Sequence, residues 1–112
     1  MKKQLIASLT FILVTALFTP AHAAIDENAA RALAKKNDCF KCHAVDKTKK
    51  GPSYKKVAIK YKGKADGEAV LIKNITTGPK VKLEDGTEEN HKIIETKDQS
   101  EIKNLVGWIL SL

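Results

Sequence analysis

The sequence is short of sulfur, aromatic rings and long apolar runs, and each shortage removes a class of function. Its 112 residues include two cysteines, one methionine, one tryptophan, two tyrosines and three phenylalanines. The longest apolar run, Leu5 to Leu17, spans about 13 residues, fewer than the ~20 a membrane-spanning helix needs. No later stretch comes closer, so no membrane span is expected. Aromatic rings for base stacking are few, and the 20 Lys+Arg are dispersed among 13 Asp+Glu, which argues against a nucleic-acid partner. No internal repeat or low-complexity segment is present.

The apolar run instead has the form of an export signal. Lys2 and Lys3 precede it, and Ala21-His22-Ala23 follows it as a small-residue cleavage pattern. Cleavage after Ala23 is expected, so residues 1–23 are a leader and residues 24–112 form one exported domain, placed in the periplasm. The mature chain then has a formal charge of +5 and keeps two cysteines, two histidines and no methionine, because Met1 and His22 leave with the leader.

Both cysteines lie in D-C-F-K-C-H, residues 38–43. Three chemistries use two thiols at this spacing. A thioredoxin-like redox pair wants a βαβ setting, and the flanks of Cys39 read as helical. A zinc site needs four ligands in tetrahedral array. Cys39, Cys42, His43 and His91 are the whole mature supply, Cys42 and His43 are adjacent, and no second C-x-x-C or H-x-x-x-H is present. The third chemistry is covalent haem attachment, of which C-x-x-C-H is the specific signal. Cys39 and Cys42 then add to the two vinyl groups of the porphyrin, and His43 falls beneath the ring as proximal ligand to iron. Export agrees with this reading, since haem is attached to such proteins outside the cytoplasm.

The surroundings of the motif are helical. Residues 25–37, IDENAARALAKKN, carry Asp26 as N-cap, acids in the first turn and Lys35 and Lys36 in the last, an order suited to the helix dipole. Gly51-Pro52 marks a turn. Ser53 is placed to cap a second helix in which Tyr54, Val57, Ala58 and Tyr61 share a face, with Gly63 closing it. A third helix is expected over about Asp66 to Ile75, stopping near Gly78-Pro79. The last begins at Ser100, and its stripe of Ile102, Leu105, Val106, Ile109 and Leu110 is the clearest periodic signal in the chain. Thr76 to Gln99 shows no helical pattern, and loops of this length in compact domains tend to be functional or disordered. Within it K-V-K-L-E-D-G-T alternates and ends in Asp85-Gly86, the pattern of a small β-ribbon.

This order of parts resembles the small bacterial monohaem class I cytochromes c. The resemblance rests on a helix running into D-C-F-K-C-H-A-V-D, then G-P-S-Y-K-K-V-A-I-K-Y-K-G, then a loop, then S-E-I-K-N-L-V-G-W-I-L-S-L, and it covers nearly all of residues 25–112. It implies an all-α cytochrome c fold of about four short helices wrapped round one covalently bound haem c. It also implies that the first and last helices cross near Leu33 and Trp108, and that the Pro52 carbonyl accepts a hydrogen bond from His43 Nδ1. Such a bond fixes the ring and strengthens it as a donor to iron.

One departure stands out. The family usually places a methionine in the loop before the last helix as distal ligand, and the mature chain has none. His91 lies 17 residues before Trp108, close to where that methionine is expected, and is the only mature histidine besides His43. A loop histidine in E-E-N-H-K is ordinarily just solvated. Here the need for a distal partner and the strength of neutral imidazole as an iron donor favour His91. Asn90, Lys82, Lys92 or an open sixth position are the alternatives.

The resemblance implies a non-enzymatic one-electron carrier, and the departure from it, His91 in place of the methionine, implies ligation by His43 and His91 and a low potential. Lys41, Lys47, Lys49, Lys50, Lys55 and Lys56 lie near the haem-bearing segment and form a candidate positive rim for redox partners with acidic docking surfaces. Taken singly, most of these lysines are as well explained by solubility. Two rivals remain: a haem protein that binds a small gas such as nitric oxide, carbon monoxide or oxygen at a labile or open distal position, and a haem subunit of a larger exported oxidoreductase.

Overall fold

The structure, a computed structural model, describes residues 16, 17 and 23–112. The leader and the first two residues of its cleavage pattern lie almost wholly outside these residues. The described residues form four helices: α1 Glu27–Lys36, α2 Tyr54–Tyr61, α3 Gly67–Thr77 and α4 Gln99–Ser111. A two-stranded antiparallel ribbon, β1 Lys80–Lys82 and β2 Glu88–Asn90, stands between α3 and α4. This is the expected all-α architecture with a small ribbon in the long loop. No helix of the described residues is long and apolar enough to cross a membrane.

Each helix starts where a side chain satisfies its free N–H groups, with α3 as the exception. The Asp26 carboxylate accepts from Ala29 N at 2.9 Å, and Ser53 Oγ accepts from Lys56 N at 3.1 Å. The cap of α4 is Asp98, not Ser100: its carboxylate accepts from Ser100 N at 2.8 Å and from Glu101 N, so the helix starts one residue earlier than expected. α3 begins without a side-chain cap and runs on to Thr77, two residues beyond Ile75, until Gly78 takes a left-handed conformation at φ 61°. Thr76 and Thr77 do not break it, because each hydroxyl donates back to the carbonyl four residues earlier at 2.7 Å.

The core lies where α4 meets the other helices. Ile102, Leu105, Val106 and Trp108 of α4 are almost fully buried, together with Ala30 and Ala34 of α1, Ala58 of α2 and Ile94 of the loop. The small alanines of α1 let α4 approach closely, and a Cβ on Gly107 would fall 2.5 Å from Ile25 Cδ1. Asp26 N donates to Asn104 Oδ1 and Asn104 Nδ2 donates to Asp26 O, both at 2.8 Å. Trp108 sits at this crossing under the Arg31 guanidinium, 4.8 Å from the ring centroid, while Leu33 is only partly buried beside it. The indole N–H is the one buried side-chain polar atom among the described residues without a hydrogen-bond partner.

The turn between α2 and α3 depends on one glycine. A Cβ on Gly67 would strike the Tyr61 carbonyl, and backbone cannot yield as a flexible side chain does. Gly67→Ala should therefore cost about 2 kcal/mol through overpacking. In a domain of this size that lowers Tm by roughly 8–16 °C, readable in a far-UV thermal melt against wild type.

Candidate haem site

The site grows from a tight turn at the end of α1. Asp38 adopts a left-handed conformation at φ 58°, which reverses the chain into a single 3-10 turn, Cys39–Lys41. Cys42 N and His43 N both donate to Cys39 O, at 3.2 and 2.9 Å. Both thiols and the imidazole are thus presented from one turn of backbone. The thiols are half-buried and not joined to each other. Burial pushes the Cys39 thiol up, and it also raises the hydroxyl of neighbouring Tyr54.

The loop after the motif fastens His43 from several sides. Gly51 N donates to Cys42 O at 2.8 Å and Tyr54 N to Ala44 O at 2.9 Å, folding residues 44–54 back on the motif. His43 Nδ1 lies 2.7 Å from Pro52 O. A carbonyl only accepts, so Nδ1 carries the proton and Nε2 is left with a free lone pair. Tyr54 stacks on the imidazole at 5.0 Å between centroids. Gly51 closes the other side: a Cβ there would sit 3.0 Å from His43 Cε1. Burial pulls the His43 pKa down, opposed by the Pro52 hydrogen bond and assisted by repulsion from His91. The ring is accordingly neutral at pH 7, the form that donates to a metal.

His91 comes to the same place from the far side of the fold. The αL turn at Gly78 sends the chain into β1, and the ribbon returns it through β2 so that His91 N donates to Pro79 O at 2.8 Å. Gly78 has to be glycine on two counts, its positive φ and the approach of His91 O, which a Cβ would meet at 2.8 Å. His91 Nδ1 lies 2.9 Å from Lys92 O, so this ring too holds its proton at Nδ1 and frees Nε2. The two imidazole centroids stand 6.1 Å apart with planes inclined at 39°.

Between and around them runs a cleft of about 400 Å³. Its walls include Cys39, Cys42, His43 and His91, with Leu71, Ile75 and Val81 from α3 and β1, and Leu105, Val106 and Ile109 from α4. Imidazole–metal bonds of about 2.0 Å on opposite sides of one ion require ring centroids about 6 Å apart, which is the spacing found. Two thiols at one edge, an apolar lining and the His43 imidazole with its free Nε2 fit a haem bound through the cysteines, and His91 lines the same cleft. Among the described residues no three His, Cys, Asp or Glu side chains converge, so the tetrahedral zinc alternative finds no ligand set.

The other expected residues fall in different places. Lys92 Nζ pairs with Asp38 at 3.2 Å, Lys82 stands opposite Glu88 in the ribbon, and exposed Asn90 stands opposite Lys80. Of the lysines read as a positive rim, four are held locally. Lys41 pairs with Asp38, Lys55 with Asp46, Lys49 donates to Phe40 O and Lys56 to Thr48 Oγ1. Lys47 and Lys50 stay outside these pairs. Sequence reasoning missed Asn37, which is buried beside the motif and bonded to Glu95 N at 2.9 Å. It also missed the stacking of Tyr54 under His43.

The family model described as Cytochrome c matches residues 28–112. Cytochrome c-551 of Allochromatium vinosum is 34% identical over 85% of this chain and 98% of its own length. Among solved structures, the class 1 cytochrome MtoD of Sideroxydans lithotrophicus ES-1 is 62% identical, superposes with a TM-score of 0.75, and is matched over 79% of this chain and 97% of that one. The wild-type cytochrome c552 of Nitrosomonas europaea is 32% identical with a TM-score of 0.60, over 73% of this chain and 98% of that one. The chain therefore belongs to the class I cytochromes c, small electron carriers that bind one covalent haem c.

Proposed function

We propose that the protein is an exported one-electron carrier of the periplasm, with haem c joined through Cys39 and Cys42 and held between His43 and His91. The observation that carries this reading is the pair of opposed imidazoles, 6.1 Å apart, each with Nδ1 spent on a backbone carbonyl. The bound haem supplies the one-electron couple. His43 and His91 would hold the iron from the two sides, backbone carbonyls orient both rings, and apolar side chains lining the cleft would exclude water. Imidazole in place of a thioether favours ferric iron, so the potential is low for the family. Lys47 and Lys50 extend a positive border near the motif, which suits an acidic redox partner at low ionic strength.

Carbon monoxide tests the assignment. If His43 and His91 both bind the iron, ferrous wild-type protein should bind it slowly, through the small fraction in which the distal ligand has left. His91→Ala should convert the ferric protein from low to high spin and bind carbon monoxide about 100-fold faster, as expected if the open form is about 1% of the wild type. Rapid binding by the wild type would favour a gas-binding haem protein, and an unchanged spectrum in His91→Ala would remove His91 from the site.

A further inference from the structure

We propose that Asn37 is a positioning residue for the distal loop: its side-chain amide ties the chain beyond His91 to the end of α1 and so sets how often His91 leaves its place opposite His43. The proposal rests on the distal role of His91 given above.

Asn37 and Ser53 are the two buried polar side chains of the described residues, and Ser53 is accounted for as a helix cap. Asn37 is 2% exposed. It ends α1 through its backbone N–H, which donates to Leu33 O at 3.1 Å, and through Nδ2, which donates to the same carbonyl at 3.0 Å. Closing a helix does not use Oδ1. That oxygen accepts from Glu95 N at 2.9 Å, 58 residues further on.

Three backbone donors hold the segment that carries His91. His91 N goes to Pro79 O and Ile94 N to Ile75 O, both at 2.8 Å, and both acceptors belong to α3 or the residues just after it. The Glu95 bond alone among these crosses to the end of α1, beside the thiol-bearing turn. Lys92 adds an ion pair to Asp38 at 3.2 Å. Asn37 and Asp38 immediately precede Cys39, so the stretch of chain that presents the thiols also grips the loop that presents His91. Without the crossing bond the segment keeps its α3 anchors, and only the half-exposed Lys92–Asp38 pair still draws it toward the thiol-bearing turn, so His91 is held opposite His43 less tightly.

The two grips differ in strength for a physical reason. Losing the Asn37 oxygen leaves a Glu95 N–H without a partner in a part-buried place. The Asp38–Lys92 pair has about half of each side chain in solvent and is weakened by salt.

The test is carbon monoxide binding to the ferrous holoprotein by stopped flow, comparing wild type, His91→Ala, Asn37→Leu and Asp38→Asn. Leucine keeps the branched shape of Asn37 at a larger volume and removes both its acceptor and its donor, and asparagine tolerates the left-handed backbone at 38. Asn37→Leu is expected to accelerate binding about tenfold, the factor that about 1.4 kcal/mol represents. Asp38→Asn should accelerate it two- to threefold at low salt and not at high salt. If His91→Ala is no faster than wild type, the distal role of His91 fails. If His91→Ala is fast while Asn37→Leu keeps the wild-type rate, this proposal alone is overturned. Should Asn37→Leu give no holoprotein, amide exchange of the wild type decides: Glu95 N–H protected like the amides of α1 supports the tether, and exchange as fast as the exposed ribbon turn overturns it.

Discussion

Exchanging His91 for methionine should raise the reduction potential by about 100–300 mV, which is two to five factors of ten in relative ferric preference at about 59 mV each. A thioether stabilises ferrous iron where imidazole stabilises ferric, and the shift sits well within the ~0.8 V that axial ligands span. The position is suited to the exchange because its backbone is fixed independently of its side chain. His91 N is bonded to Pro79 O and its carbonyl packs against Gly78. Spectroelectrochemical titration reads the result directly. A potential unchanged from wild type, with the low-spin spectrum intact, would mean that another group occupies the distal position.

Replacing Cys39 and Cys42 together by serine should give a colourless chain, after extraction with acidified organic solvent, whose mass is that of the bare polypeptide. It should also lose its cooperative thermal transition. Leaving about 400 Å³ between α3, α4 and the ribbon unfilled costs up to about 10 kcal/mol at ~24 cal/mol per Å³, an upper bound because the cleft is partly open to water. That equals the whole stability of an ordinary domain. Leu71 and Ile75 of α3 and Leu105, Val106 and Ile109 of α4 are walls of the cleft, so without haem the packed core shrinks to the crossing of α1 and α4. Mass spectrometry and far-UV melting check the two halves of this expectation separately.

The parts legible in the sequence are those whose cause is local. Asp26 and Ser53 begin their helices because a carboxylate and a hydroxyl reach the next turn, and Asp85-Gly86 turns the ribbon, with Gly86 at φ 85°. The stripe of α4 is periodic because one face is buried. The turn at Asp38–His43 announces itself by spacing. What the sequence hides is what distant segments do to each other. Nothing in K-N-D-C indicates that Asn37 will bond residue 95, because a single side-chain acceptor leaves no periodic trace. The narrowness at Gly51 and Gly67 is equally silent, since it depends on where His43 and Tyr61 arrive. The lysines near the motif looked like one charged surface, and local partners at Asp38, Asp46 and Thr48 have engaged several of them.

The reciprocal bonds between Asp26 and Asn104 close a span of 78 residues. In order of synthesis, α4 follows everything it buries, and closing so long a loop is an entropic expense that only its arrival repays. Until then α1 has no surface on which to set Ala30 and Ala34, and the turn bearing the two thiols stays accessible. The last helix to be made is thus the one that locks the thiol-bearing turn in its setting.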